Sequence, residues 1–116
     1  SGLGVVRRQP DIRWNRSEAD VTELVSLQKT LLEAGAEVVR PGGRLVYAVC
    51  TFLTEEGPKQ VDRLLEAHDE FDIEPPEGPE GVDWSVFLRE DGAIDTDPLR
   101  HDADMFYAAN LRRAGN

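Results

Sequence analysis

The chain of 116 residues carries 23 Asp and Glu against 13 Lys and Arg, a formal net charge of -10, with 40% apolar and 31% charged side chains. That balance suits one globular domain and excludes wholesale disorder, and no apolar run approaches the roughly 20 residues a bilayer span needs. A lone cysteine excludes an internal disulfide, and with only His68 and His101 beside it there are too few ligands for a thiolate metal site, so a cytoplasmic protein with no structural metal and no membrane partner is expected.

The charge is unevenly placed. Residues 1–53 hold seven basic and six acidic side chains, residues 54–104 hold four and seventeen, and Arg112 and Arg113 follow. An average of -10 argues against nucleic-acid binding, but the basic side chains Arg7, Arg8, Arg13 and Arg16 cluster at the start, where counterion release favours contact with phosphates. Arg7 and Arg8 are the main candidates there; a solvated basic turn is the competing reading. The opening Ser1-Gly2-Leu3-Gly4 lacks both the glycine spacing and the preceding strand of a phosphate loop. Trp14 suits a hydrophobic staple against the helix that follows, or stacking on a base.

Ser17 and Asp20 form a helix-start signal, and apolar residues recur at Val21, Leu24, Val25, Leu31, Leu32, Val38 and Val39, the spacing of an amphipathic helix. Arg40-Pro41-Gly42-Gly43 ends it in a reversal. Leu45 to Cys50 is an uninterrupted apolar run rich in β-branched residues, which reads as a central parallel strand buried on both faces. Thr54 is suited to cap a second helix that tolerates Pro58 in its first turn, carries Val61, Leu64 and Leu65 on one face and ends near His68. Phe71 to Glu74 and Met105 to Leu111 read as strands. Between them, residues 75–98 hold four of the seven prolines and many acids, which predicts a long acidic surface loop with one turn around Trp84 to Leu88. The order helix, strand, helix, strand, loop, strand is half of a doubly wound α/β sheet, so residues 1–116 are expected to form a single partial domain.

Cys50 falls at the carboxyl end of the predicted strand, the edge that hosts ligands in open α/β sheets, and a helix amino terminus follows. Such a terminus stabilises a nearby anion and so favours a nucleophilic thiolate. A free cysteine is also a common small core residue, and position alone leaves both readings open. His68 and His101 are given no role.

Taken in order, these segments resemble one family, the NOP/Sun (Fmu-like) RNA 5-methylcytosine methyltransferases. The family's Ser-Gly-Leu-Gly segment and arginine-rich stretch with Pro and Trp are matched by Ser1 to Gly4 and by Val5 to Trp14. Its Leu-x-x-Leu-Gln-x-x-Leu-Leu helix is matched by Leu24 to Leu32, and its Tyr-Ala/Ser-Thr-Cys-Ser signature by Tyr47-Ala48-Val49-Cys50-Thr51. The family's Pro-Glu-Glu-Asn stands here as Thr54-Glu55-Glu56-Gly57, and its terminal strand as Asp104 to Arg113. Val49, Gly57 and Met105 depart from the family's hydroxyl, asparagine and glycine.

The resemblance implies the C-terminal half of a Rossmann-like S-adenosylmethionine-dependent methyltransferase fold, with about three strands and two main helices. It implies a fragment of an rRNA (cytosine-5) methyltransferase in which the Cys50 thiolate attacks C6 of cytosine. S-adenosyl-L-methionine would be the cofactor and ribosomal RNA the partner. The motifs that hold the cofactor, a second cysteine and a base-contacting aspartate would lie upstream, so no residue of this chain is expected to bind cofactor or metal, and the fragment alone is expected to be inactive. A sheet cut at its centre would also leave an edge through which the fragment self-associates. Two other readings stand beside this one: a catalytically inactive acidic interaction module that keeps the half fold, and a thiol-dependent enzyme of another kind.

Overall fold

A computed structural model of the chain describes residues 1–115. Short 3-10 turns at Leu3–Val5 and Pro10–Trp14 lead to the long helix α1, Glu18–Val38. Ser17 caps it through the reciprocal arrangement the sequence suggests: its hydroxyl accepts from the Asp20 amide at 3.1 Å and the Asp20 carboxylate accepts from the Ser17 amide at 2.8 Å. After α1, Gly42 takes a φ of 76°, which frees the chain to reverse, and the ends are tied by Gly42 N–H to the Arg113 carbonyl and Arg113 N–H to the Gly43 carbonyl.

Strand β1, Arg44–Val49, follows, then α2, Pro58–Ala67, and β2, Phe71–Ile73. Pro58 occupies the first position of α2 as expected, but the cap position falls at Gly57 rather than Thr54, whose carbonyl instead accepts from the Lys59 amide at 2.9 Å. The stretch 75–98 contains a 3-10 turn at Trp84–Phe87 and a further strand, β3, Ile94–Thr96; a one-turn helix α3, Pro98–His101, leads into β4, Phe106–Arg113.

The central strand is β4, not β1. It pairs antiparallel with β1, β2 and β3, and the sheet order is β1-β4-β2 with β3 also against β4. Because β1 and β2 are both antiparallel to β4, they run the same way and α2 is the crossover between them. The expected central parallel strand is therefore corrected to an antiparallel one that pairs with β4 alone among the described residues. Its two faces also differ. Leu45, Tyr47 and Val49 point to the core and Val46 is 66% exposed. A continuous apolar run reports that both faces avoid polar side chains; it does not report what covers them.

Both long helices lie on one face of the sheet. Leu32 and Ala36 of α1, Val61 and Leu64 of α2, Phe71 of β2 and the alternating Tyr107, Ala109 and Leu111 of β4 form the buried core. Burying each large aliphatic side chain contributes roughly 1.5–3 kcal/mol. Leu31 and Val38 were expected on the inner stripe of α1, yet they are 62% and 84% exposed. The helical period puts Val25, Gln28, Leu32, Ala36 and Val39 on the packed stripe and carries Leu31 and Val38 past its edge. Trp14 does not staple the helix either: it is largely exposed, with the Arg13 guanidinium 4.8 Å from its ring centre.

Candidate active site

Strand β1 ends at Val49 and delivers Cys50 to the sheet's rim, where the residue is exposed to solvent. The turn 50–57 separates it from α2, so Cys50 begins a loop rather than abutting the first helical turn directly. Its main chain is held on the upstream side. Gly4 N–H donates to the Cys50 carbonyl at 3.1 Å, and the Gly4 carbonyl accepts from the Met105 amide at 2.9 Å, so the first residues thread between the ends of β1 and β4.

Glu56 organises the loop from within. Its carboxylate is fully buried. Oε1 accepts from the charged amino group of Ser1 at 2.5 Å, an ion pair, and from Gln28 Nε2 at 3.1 Å, while Oε2 accepts from Ser1 Oγ and Thr51 Oγ1, both at 2.6 Å. Burial opposes ionisation of this carboxyl, but the bond from the Ser1 amino group, followed by those from the Ser1 hydroxyl, Thr51 and Gln28, outweighs it and holds Glu56 below the ordinary carboxylate range. The Glu56 carbonyl accepts from Tyr47 Oη at 2.5 Å, and burial together with the nearby Glu56 charge pushes the Tyr47 phenol up to about 12. Thr51 Oγ1 also accepts from the Leu53 amide at 3.1 Å, which shapes the backbone just after Cys50. Beside the turn opens a hollow of about 160 Å³, with Phe52, Met105 and Arg100 among its walls.

This arrangement presents one accessible thiol on a rigidly supported rim of an α/β sheet. The sequence profile for the 16S rRNA methyltransferase RsmB/F family matches residues 1–112. The chain belongs to that family.

Among curated RsmB/F relatives, the chain is 40% identical over 116 residues to the probable ribosomal RNA small subunit methyltransferase B of Synechocystis sp., covering 98% of this chain and 25% of that protein. It is 39% identical over 116 residues to the ribosomal RNA small subunit methyltransferase B of Thermus thermophilus, covering 100% of this chain and 28% of that protein. A crystal structure of a methyltransferase homologue from Pyrococcus horikoshii superposes with a TM-score of 0.69 at 29% identity, over 84% of this chain and 33% of that one. The chain thus spans about a quarter of the length of the curated relatives it matches. The likeness carries the fold class expected from the sequence, part of a Rossmann-like methyltransferase fold.

Within this RsmB/F chain the two arginines singled out from sequence are engaged in ion pairs. Arg7 Nη1 lies 2.8 Å from Asp102 Oδ1 and Arg7 Nε 3.4 Å from Asp104, and Arg8 Nη2 pairs with the same Asp104. The bond from Arg8, reinforced by Arg7, holds the Asp104 carboxyl below its usual range. The pairs pin the opening segment to the residues leading into β4, next to the Gly4–Met105 bond. Charge clustering in the sequence showed the cations and could not show their partners, which lie about ninety residues away along the chain.

Glu56 is the residue that sequence reasoning passed over. It was visible only as the second acid of Thr54-Glu55-Glu56-Gly57, in a stretch where acids are abundant. Its neighbour Glu55 is exposed and makes a 3.2 Å ion pair with Lys59. No local signal marks it, because the donors a buried carboxylate needs come from residues 1, 28 and 51.

Proposed function

We propose that this chain is the part of an S-adenosylmethionine-dependent rRNA (cytosine-5) methyltransferase that carries the nucleophile, Cys50, working in the cytoplasm as part of a longer protein. The supporting observation is the placement of Cys50: the chain's single cysteine stands exposed at the rim of the sheet, on a loop fixed from both sides, in a member of the RsmB/F family.

Aromatic C5 of cytosine is a poor nucleophile, so the reaction benefits from covalent activation. The Cys50 thiolate adds to C6, the new S–C6 bond using the thiolate pair, and the C5–C6 π pair moves toward C5, which becomes electron-rich. A sulfonium donor would supply an electrophilic methyl group to that carbon, the C5 pair forming the new C–C bond while the sulfur–methyl pair stays with the donor as a neutral thioether. Loss of the C5 proton to a base then returns its electron pair to the ring, re-forms C5=C6 and expels the Cys50 thiolate. None of the described residues forms a glycine-rich turn after a strand with an acid to hold ribose, so holding the methyl donor is not assigned to this chain.

In this proposal RNA approaches beside the hollow, where Phe52, 50% exposed, offers a face for stacking. Arg7 and Arg8 contact phosphate by sharing their donors with Asp102 and Asp104, since a guanidinium has five N–H groups and these pairs use only some of them. Arg8, with 63% of its side chain exposed, is the better placed.

The test is methylation mapping by bisulfite sequencing of ribosomal RNA from cells whose only copy of the full-length protein carries Cys50→Ala. A 5-methylcytosine present with the wild type is expected to disappear while S-adenosylmethionine binding by the purified variant is retained. Undiminished methylation in the variant overturns the assignment, and absence of any methylation by the wild type points instead to an inactive interaction module.

A further inference from the structure

We propose that Glu56 is a positioning residue for the Cys50 nucleophile, a role that rests on the catalytic reading of Cys50 above. Side-chain donors from three separate parts of the chain converge on its carboxylate: the Ser1 hydroxyl on the opening segment, Gln28 on α1 and Thr51 in the Cys50 turn, with the Ser1 amino group beside them. A carboxylate is an acceptor with about four lone-pair sites and no donor, so it matches this set without remainder. An amide in its place would point N–H groups at donors. Both hydroxyls are also committed from behind, Thr51 Oγ1 by the Leu53 amide at 3.1 Å and Ser1 Oγ by the Leu3 amide at 3.4 Å, which leaves their protons for Glu56.

The consequence is geometric. Thr51 is 4% exposed and adjoins Cys50, so whatever fixes its side chain fixes the direction in which the chain leaves β1. Glu56 fixes it against Ser1, three residues from the Gly4 amide that holds the Cys50 carbonyl. Cys50 is therefore gripped on its C-terminal side twice, through its own carbonyl and through the adjoining Thr51, and both grips close on the same opening segment. The Tyr47 hydroxyl bond to the Glu56 carbonyl ties the closing end of the loop to β1 itself. No other fully buried acid is present among the described residues, and this one is spent on the loop that carries the thiol.

Misplacing a nucleophile by about 1 Å costs on the order of a hundredfold in rate, whereas RNA binding is spread over several contacts, Phe52, Arg7 and Arg8 among them, and responds less steeply to a shift at one of them. The full-length protein is tested as wild type, Glu56→Gln, Thr51→Val, Thr51→Ser and Cys50→Ala, with kcat and KM for RNA, the rate of covalent adduct formation with 5-fluorocytidine-containing RNA, and the unfolding midpoint. Glu56→Gln is expected to lower kcat and the adduct rate by about tenfold to a hundredfold with KM changed less than about threefold. Thr51→Val is expected to do the same more mildly, and Thr51→Ser to restore the wild-type rate because it returns the hydroxyl. Wild-type kcat in folded Glu56→Gln or in folded Thr51→Val overturns the proposal, as does a loss that only tracks the folded fraction. Should Glu56→Gln fail to fold, the Thr51 pair decides alone. Full methylation by Cys50→Ala removes the catalytic reading itself and this proposal with it, whereas an inactive Cys50→Ala beside an unimpaired Glu56→Gln removes only the role of Glu56.

Discussion

The Gly4 amide donates to the Cys50 carbonyl at 3.1 Å, and no side chain larger than hydrogen fits where it does so. A Cβ at Gly4 would lie 1.9 Å from the Met105 carbonyl oxygen and 2.8 Å from both the Cys50 carbonyl carbon and the Thr51 nitrogen. All three are backbone atoms, which cannot swing aside as a side-chain tip can. Gly4→Ala should therefore destabilise the chain by roughly 2–3 kcal/mol or more, as overpacking at a buried site does. Urea unfolding followed by far-UV circular dichroism measures this, and a midpoint within error of wild type would show that the opening segment does not dock between β1 and β4.

The thiol offers a second check that needs no RNA. Cys50 is exposed and free in the folded chain. An aromatic disulfide reagent should titrate one thiol per chain under native conditions, at a rate within about tenfold of that in strong denaturant, since access rather than opening controls the reaction. A native rate lower by several orders of magnitude would place Cys50 in the core, the alternative that its sequence position left open.

Much of this fold was legible because local rules and tertiary demands agree. The capping pair Ser17 and Asp20, the stop at Pro41-Gly42-Gly43, Pro58 at the start of α2 and the apolar run before Cys50 each follow from backbone chemistry alone. What was not legible depends on partners distant in sequence. The run Leu45 to Val49 is apolar whether its neighbour is parallel or antiparallel, so the insertion of β4 between β1 and β2 left no local mark. Ile94–Thr96 is three residues long among prolines and acids, too short to stand out as a strand until Phe106–Thr96 pairing is known. At the site, Cys50 was legible by position, Arg7 and Arg8 by type but not by pairing, and Glu56 not at all, because burial of a carboxylate is decided by donors from residues 1, 28 and 51.

Two ionisable groups should give the chain opposite slopes of stability with pH. His68 Nε2 lies 2.6 Å from Glu33 Oε2, and that bond raises the imidazole above its ordinary 6.5, with a smaller opposing effect of burial. A raised folded value means the contribution is complete below pH 6.5 and fades as pH rises through the folded value. The pair is partly exposed, so His68→Gln should cost under about 1 kcal/mol at pH 5.5 and less at pH 8.5. Glu56 is held below its ordinary 4.5, so its contribution is complete above pH 4.5 and is lost as acid protonates it. Glu56→Gln should flatten the acid limb of the stability curve while leaving the limb above pH 6 parallel to wild type. Thermal unfolding at half-unit steps from pH 3 to pH 9 reads both; identical profiles for all three chains would mean that neither contact persists in solution.

The free edge of β1 yields the last prediction. Among the described residues β1 pairs only with β4, and its outward face presents Arg44, Val46 and Ala48, with Val46 66% exposed. The same face continues onto β4 at Ala108, where a hollow of about 410 Å³ is walled by Pro75 and Ile94. An unpaired strand edge offers a row of backbone donors and acceptors to any second strand, and an apolar neighbour face adds burial to that pairing. We expect the isolated 116-residue chain to associate reversibly at high micromolar concentration, giving a rising weight-average mass in sedimentation equilibrium. Val46→Lys should shift that curve to the monomer without lowering the unfolding midpoint, because position 46 makes no core contact and a charge on an edge strand opposes pairing. Association that persists unchanged in Val46→Lys would move the contact away from this edge, toward the exposed Leu27, Leu31 and Val38 of α1.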